Sequence, residues 1–164
     1  NRHFRLLKSP ADFAAAVNED LVKIFGSVVT FATAMCGIID ASAGTLCFTG
    51  AGGPTPLIIH ENWAFEEPKS TGPPLGVMED IPYKEKTVKL EAGDSILLFS
   101  DGATEIQNAE NEWLGTSGFT QILKALDYPK KPLRMETLEE ELLKFSNDIR
   151  LQDDITIIEA RYFG

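Results

Sequence analysis

The strongest constraint on the fold is a six-residue run, Ser95-Ile96-Leu97-Leu98-Phe99-Ser100, bounded by Gly93-Asp94 before it and Asp101-Gly102 after it. Its four central side chains are all apolar, with no polar residue between them. A strand sends successive side chains to opposite faces, so an unbroken apolar run buries both. Such a strand belongs inside a sheet that is covered above and below. The rest of the chain has to supply flanking strands and covering helices.

Those elements can be read in turn. Ser9-Pro10-Ala11-Asp12 reads as a helix start, with Ser9 as N-cap and Pro10 in the first turn. Phe13, Val17, Leu21 and Ile24 follow at helical spacing, and Gly26 is the stop. Val28 to Ile39 is apolar and β-branched, and the turn residues of 40–44 lead into a second strand, Thr45 to Thr49. After Gly50-Ala51-Gly52-Gly53-Pro54 comes a third, Leu57 to Ile59, and the spacing predicts an antiparallel meander. Residues 66–82 are rich in Pro, Gly and charge and read as a surface loop. Lys84 to Leu90 alternates, as a strand with one wet face does. Thr137-Leu138-Glu139-Glu140 fits a capping box, and Leu138, Leu142, Phe145 and Ile149 mark one helix face. Ile155 to Ala160 is the last strand. The expected class is α+β: antiparallel sheets packed together and flanked by helices, as one domain over residues 1–164.

Charge and cysteine usage narrow the function. With 25 acidic against 15 basic residues, the formal net charge of -10 argues against general affinity for nucleic acid or anionic membranes. No apolar run is long enough to span a bilayer, so no membrane contact is expected from this segment. Cys36 and Cys47 lack metal-site spacing and read as free thiols of a cytoplasmic protein. The chain begins without Met and is read as part of something longer.

Two acidic stretches carry the candidate chemistry. Asp101 ends the buried strand, and Asp153-Asp154 precedes the last one. If these strands are antiparallel neighbours, the end of one and the start of the other share a sheet edge, and the carboxylates converge. Clustered carboxylates repel one another unless a cation joins them, and oxygen-only ligands suit Mg²⁺ or Mn²⁺. From these residues alone the structural reading stands ahead of the functional one. Asp-Gly after a strand is a common turn, and Asp-Asp before a strand can cap or face solvent. His3 and His60 have no partner motif, and Trp63 and Trp113 read as packing residues.

The ordered set of segments resembles the stage II sporulation E family of PPM-type, metal-dependent serine/threonine phosphatases. The matching stretches are Ser9-Pro10 with Val17-Asn18 and Leu21, Phe31 to Asp40 with Gly44, and Gly50 to Pro54 with Pro56-Leu57. They continue with Gly72 to Gly76, Leu90 to Asp94, Leu98 to Gly102 with Thr104-Glu105, Asn108, Glu112 to Gly115, and Asp153 to Thr156. The resemblance implies a two-metal centre holding Mn²⁺ or Mg²⁺, with Asp101 and Asp153 as ligands and Gly102 and Asp154 beside them. It implies no side-chain nucleophile, the attack being made by metal-bound water. It further implies a phosphorylated anti-sigma-factor antagonist-like protein as partner, and an N-terminal sensor or receiver domain in the same chain. The family's earlier acids would precede Asn1, so the domain is expected to be N-terminally incomplete and the isolated segment inactive. The family often has His where Gly53 stands here. The alternative function is a non-catalytic, phosphatase-like binding module.

Overall fold

A computed structural model describes residues 9–26, 30–69, 71–147, 151 and 153–164. The backbone divides into two compact units, one drawing on Asn1–Thr55, Glu67–Ala92 and Tyr162–Gly164, the other on Pro56–Glu66 and Gly93–Arg161.

In the first unit, helix α1 spans Pro10–Phe25 and begins as the sequence predicts. The Ser9 hydroxyl oxygen accepts the Asp12 N–H at 3.1 Å, satisfying one of the donors a helix start leaves unpaired. Gly26, at φ 58°, ends the helix by donating its N–H to the Val22 carbonyl. The Glu85 carboxylate reinforces the start, accepting from the Ser9 hydroxyl at 2.7 Å and the Ala11 N–H at 3.1 Å. These bonds, the Ser9 one foremost, hold the Glu85 carboxyl below the usual range. A carboxyl depressed in the folded state stabilises it above the ordinary carboxylate pKa, and that contribution disappears as pH falls through the lowered value. Glu85→Gln should therefore lower the melting temperature at about pH 7 and leave it nearly unchanged at about pH 3. Circular-dichroism melts across this range check it; an equal loss at both ends would contradict the assignment.

Strands β1 (Ala34–Asp40) and β2 (Thr45–Ala51) form an antiparallel hairpin. At its turn Asp40 Oδ1 accepts from the N–H groups of Ser42 and Ala43 and from the Ser42 hydroxyl. Gly44 supplies the left-handed residue at φ 59°. On the other side of β2 lie β6 (Lys86–Lys89), antiparallel to its first half, and the short β5 (Thr71–Gly72), parallel to its end. Cys36 and Cys47 sit half-buried in β1 and β2 as free thiols, and burial pushes the Cys36 thiol up. Ala14, Ala51, Leu75, Ile81 and Tyr83 form the core.

Three expectations change here. The strand expected from Val28 is found from Ala34; residues 27–29 lie outside the described set, and Ala32 makes only a lone bridge to Leu75. The loop expected over 66–82 contains β5. The meander also fails, because the third strand pairs elsewhere. After β2 the chain turns at Gly52 (φ 77°), where a Cβ would stand 2.6 Å from the Pro74 ring. Pro54 then has no N–H for a ladder, so the hairpin does not continue.

The second unit is built on an antiparallel sheet in the order β4 (Phe65–Glu66), β3 (Leu57–Ile59), β7 (Ser95–Phe99) and β8 (Ile157–Arg161). The apolar run occupies an interior strand, with Ser95, Ile96 and Leu97 buried in succession. Helices α2 (Gly115–Ala125) and α3 (Met135–Phe145) contribute Phe119, Leu123, Leu138 and Leu142 to one core with Leu57, Ile59 and Leu97. The Tyr128 hydroxyl, also buried, donates to Glu159 Oε1 at 2.8 Å, and burial pushes this phenol well up.

Helix α3 starts at Met135, so Thr137 lies inside its first turn and the expected capping box does not form. Arg134 is the extended N-cap residue, without a side-chain cap, and its carbonyl accepts the Leu138 N–H at 3.0 Å. Burial of Leu138 and Leu142 sets the helix phase, and that phase does not require a start at Thr137. Ile149 lies outside the described residues. The last strand begins at Ile157 and not Ile155, because the Thr156 N–H is donated to a side chain, the Ser100 hydroxyl.

Candidate functional site

The pairing that a shared acidic site requires is present. β7 and β8 are antiparallel with Phe99 opposite Ile157, so the end of β7 lies beside the start of β8. Beyond the ladder, the Ser100 N–H donates to the Thr156 carbonyl at 3.0 Å and the Ser100 hydroxyl donates to the Asp154 carbonyl at 3.1 Å. The Thr156 N–H returns a bond to the same hydroxyl at 3.0 Å. Ser100 and Gly102, on either side of Asp101, thus stand against the backbone of 153–156, all within the second unit.

Gly102 is required by this approach. A Cβ there would lie 2.6 Å from the Asp154 carbonyl oxygen and 3.5 Å from the Asp153 carbonyl carbon. No flexible side chain can yield, since the obstructing atoms are backbone. Gly102→Ala should destabilise the fold by about 1–3 kcal/mol, the usual cost of overpacking. A denaturant midpoint matching the wild type would show that the two segments are not held this closely.

Each acid engages its own following residue. Asp101 opens a 3-10 turn, Asp101–Ala103, and its Oδ1 accepts the Gly102 N–H at 3.0 Å. Its carbonyl accepts from the N–H groups of Thr104 and Glu105, which anchors the turn. Asp153 Oδ1 accepts the Asp154 N–H at 2.8 Å. An ionised carboxylate offers about four lone-pair sites, so one backbone bond each leaves both acids able to take a cation. Oxygen donors on a half-buried turn and an exposed neighbouring segment fit a hard, partly hydrated ion such as Mg²⁺ or Mn²⁺. Among the described residues, no group of three or more His, Cys, Asp or Glu is gathered to hold a metal.

Other candidates fall elsewhere. His60 follows β3 and its Nδ1 lies 2.9 Å from Asp94 Oδ1, at the opposite end of β7 from Asp101. His3 is outside the described residues. Trp63 is half-buried with the Lys130 ammonium 4.3 Å from its ring centroid, in keeping with a packing role. Trp113 does not pack: it is 58% exposed, its backbone bridged to Gln107 across a loop. At Gly53 a Cβ would make ordinary contact with Thr33 at 3.4 Å, so crowding does not impose glycine there. Sequence reasoning missed Ser100. The available signal was a hydroxyl residue between the buried strand and its terminal acid.

Comparison with known proteins places the chain in a family. The family model described as Stage II sporulation protein E (SpoIIE) matches residues 2–163. The chain is 27% identical over 141 residues to Protein IcfG of Synechocystis sp. (strain ATCC 27184 / PCC 6803 / Kazusa), covering 86% of this chain and 22% of that protein. It is 33% identical over 97 residues to phosphoserine phosphatase RsbU of Bacillus subtilis (strain 168), covering 59% of this chain and 28% of that protein. The chain thus spans about a quarter of the length of these curated relatives. Among solved structures, the SiaA-PP2C domain of Pseudomonas aeruginosa matches with a TM-score of 0.76 at 22% identity, over 94% of this chain and 61% of that one. The phosphatase domain of the cell fate determinant SpoIIE from Bacillus subtilis matches with a TM-score of 0.67 at 18% identity, over 99% of this chain and 74% of that one. These likenesses show the α+β fold of PP2C-type phosphatase domains.

Proposed function

The chain belongs to the stage II sporulation protein E family, and on that premise we propose that it is the later part of a metal-dependent phosphatase acting on phosphoserine or phosphothreonine of a signalling protein. The observation that supports this reading is the approach of the Asp153–Asp154 backbone to Ser100 and Gly102, the two neighbours of Asp101, at one sheet edge. The relative named a phosphoserine phosphatase supports the substrate class. Asp101 and Asp153 would hold Mn²⁺ or Mg²⁺, with Asp154 adjoining through its backbone. When bound, such an ion acts as a Lewis acid toward the phosphoryl group and makes water acidic enough to serve as nucleophile. The chain's own contribution is to fix the two carboxylates, and no side-chain nucleophile is assigned.

The complete centre would draw further acids from outside residues 1–164, and the segment alone would turn over little. Both structural relatives extend beyond the matched region, which supports this. The family match runs through both compact units, which supports one catalytic domain. A phosphorylated anti-sigma-factor antagonist-like protein is the proposed partner, with a sensor or receiver domain upstream in the same chain, in the cytoplasm. Among the described residues, no helix is long and apolar enough to cross a membrane.

The second reading, a phosphatase-like binding module, is favoured by the lack of a complete ion-holding group among the described residues. Phosphate release from a phosphoserine peptide by the full-length protein separates the two. Release that needs Mn²⁺ and stops with chelator is the expected result. A folded, metal-supplied protein that releases nothing would favour the binding module.

A further inference from the structure

The geometry points to Ser100 as a positioning residue that fixes the spacing of Asp101 and Asp153 for the shared ion, a role resting on the proposed metal centre. Its hydroxyl lies between the two acidic segments and serves both senses of hydrogen bonding at once. It donates to the Asp154 carbonyl at 3.1 Å and accepts the Thr156 N–H at 3.0 Å. Its own N–H, donated to the Thr156 carbonyl, continues the β7–β8 ladder one residue further. Three bonds from one residue therefore hold 154–156 against the residue that precedes Asp101.

Position explains why a side chain is needed. The paired register ends with Phe99 opposite Ile157, and beyond the Ser100 N–H bond to the Thr156 carbonyl regular backbone pairing no longer sets the spacing. On the far side Gly102 allows the Asp154 carbonyl to come closer than any Cβ would permit. Ser100 draws that same carbonyl inward. One neighbour of Asp101 pulls and the other makes room, and the peptide joining Asp153 to Asp154 is confined between them. Carboxylates that share an ion repel each other until the ion joins them, so the segments that carry them must be held by other bonds. The hydroxyl holds them without contributing a charge or a ligand.

The test uses the full-length protein and Mn²⁺ alone as probe. Mn²⁺ affinity is measured by calorimetry and by electron paramagnetic resonance of the free ion, for wild type, Ser100→Thr, Ser100→Val, Ser100→Ala and Asp101→Asn. Thr and Val have nearly the same size and differ in the hydroxyl, so this pair isolates the bond. Loss of an outer partner typically weakens metal binding about 10–100-fold. Val and Ala variants should show a loss of that order, and Thr should stay within about threefold of wild type. A merely structural role would lower the melting temperature without moving Mn²⁺ affinity of the folded protein. If Ser100→Val binds as Ser100→Thr does while Asp101→Asn loses the ion, the positioning role is overturned and the metal centre stands. If Asp101→Asn itself binds Mn²⁺ like wild type, the centre is misplaced and the role of Ser100 falls with it.

Discussion

Asp101→Asn in the full-length protein should reduce Mn²⁺-dependent phosphate release by about a hundredfold or more, while leaving thermal stability close to wild type. The argument rests on what the amide keeps and what it loses. The Asn oxygen can still accept the Gly102 N–H that Asp101 Oδ1 accepts at 3.0 Å, so the 3-10 turn retains its local bond. The turn's other anchors run to the backbone carbonyls of residues 100 and 101 and do not involve the Asp101 side chain. What disappears is the negative charge that a hard cation requires. Removing even an outer partner of a metal costs about 10–100-fold, and a direct ligand should cost more. A steady-state assay beside a melting curve checks both halves. Retained activity, or a collapse of stability that accounts for the loss, would contradict the role assigned to Asp101.

Phe119→Ala should produce the largest loss of stability, about 3–5 kcal/mol. Phe119 is fully buried on α2, at the centre of a core with Leu57, Leu97, Leu138 and Leu142. Its ring centroid stands 5.2 Å from that of Phe99 at a tilt of 46°, an arrangement that adds to simple burial. Phe99 is the last residue of β7, immediately before Ser100 and Asp101, so a cavity at Phe119 undermines the strand end that carries the site. A domain of this size is stabilised by about 5–15 kcal/mol in total, so this one change removes a large share of the margin. Chemical denaturation measures the difference. A loss under about 1 kcal/mol would mean that α2 does not support β7 as described.

How much of this was legible depends on whether the determining contacts are local. The start of α1 is local: Ser9, Pro10 and Asp12 carry it, and the observed cap joins residues three apart. The place of β7 inside a sheet was equally legible, because a continuous apolar run has no other use for both of its faces. Partner choice between strands is not local, and the expected meander failed for that reason. Leu57–Ile59 looks the same whether it pairs with the preceding strand or with Ser95–Phe99, and the Gly52 and Pro54 turn decides against the former. That the end of β7 and the start of β8 share one sheet edge could be reasoned from antiparallel pairing, but the close approach at Gly102 could not. A glycine after an acid serves equally well in a solvent-facing turn. Ser100 was opaque for the same reason, since a serine at a strand end reads alike whether it bonds water or two backbone segments. The capping box at Thr137 shows the opposite error, a local signal overridden by the burial of Leu138 and Leu142.

The central claim is that Asp101 and Asp153 serve one ion-binding centre, and a double-mutant cycle on phosphoserine-peptide hydrolysis tests it most directly. Asp101→Asn, Asp153→Asn and the double variant are compared in the full-length protein at saturating Mn²⁺. Residues that act as a unit are strongly non-additive, so the double variant should be about as active as the weaker single one. Losses that multiply, or an Asp153→Asn variant with wild-type activity, would show that the two acids do not share a site.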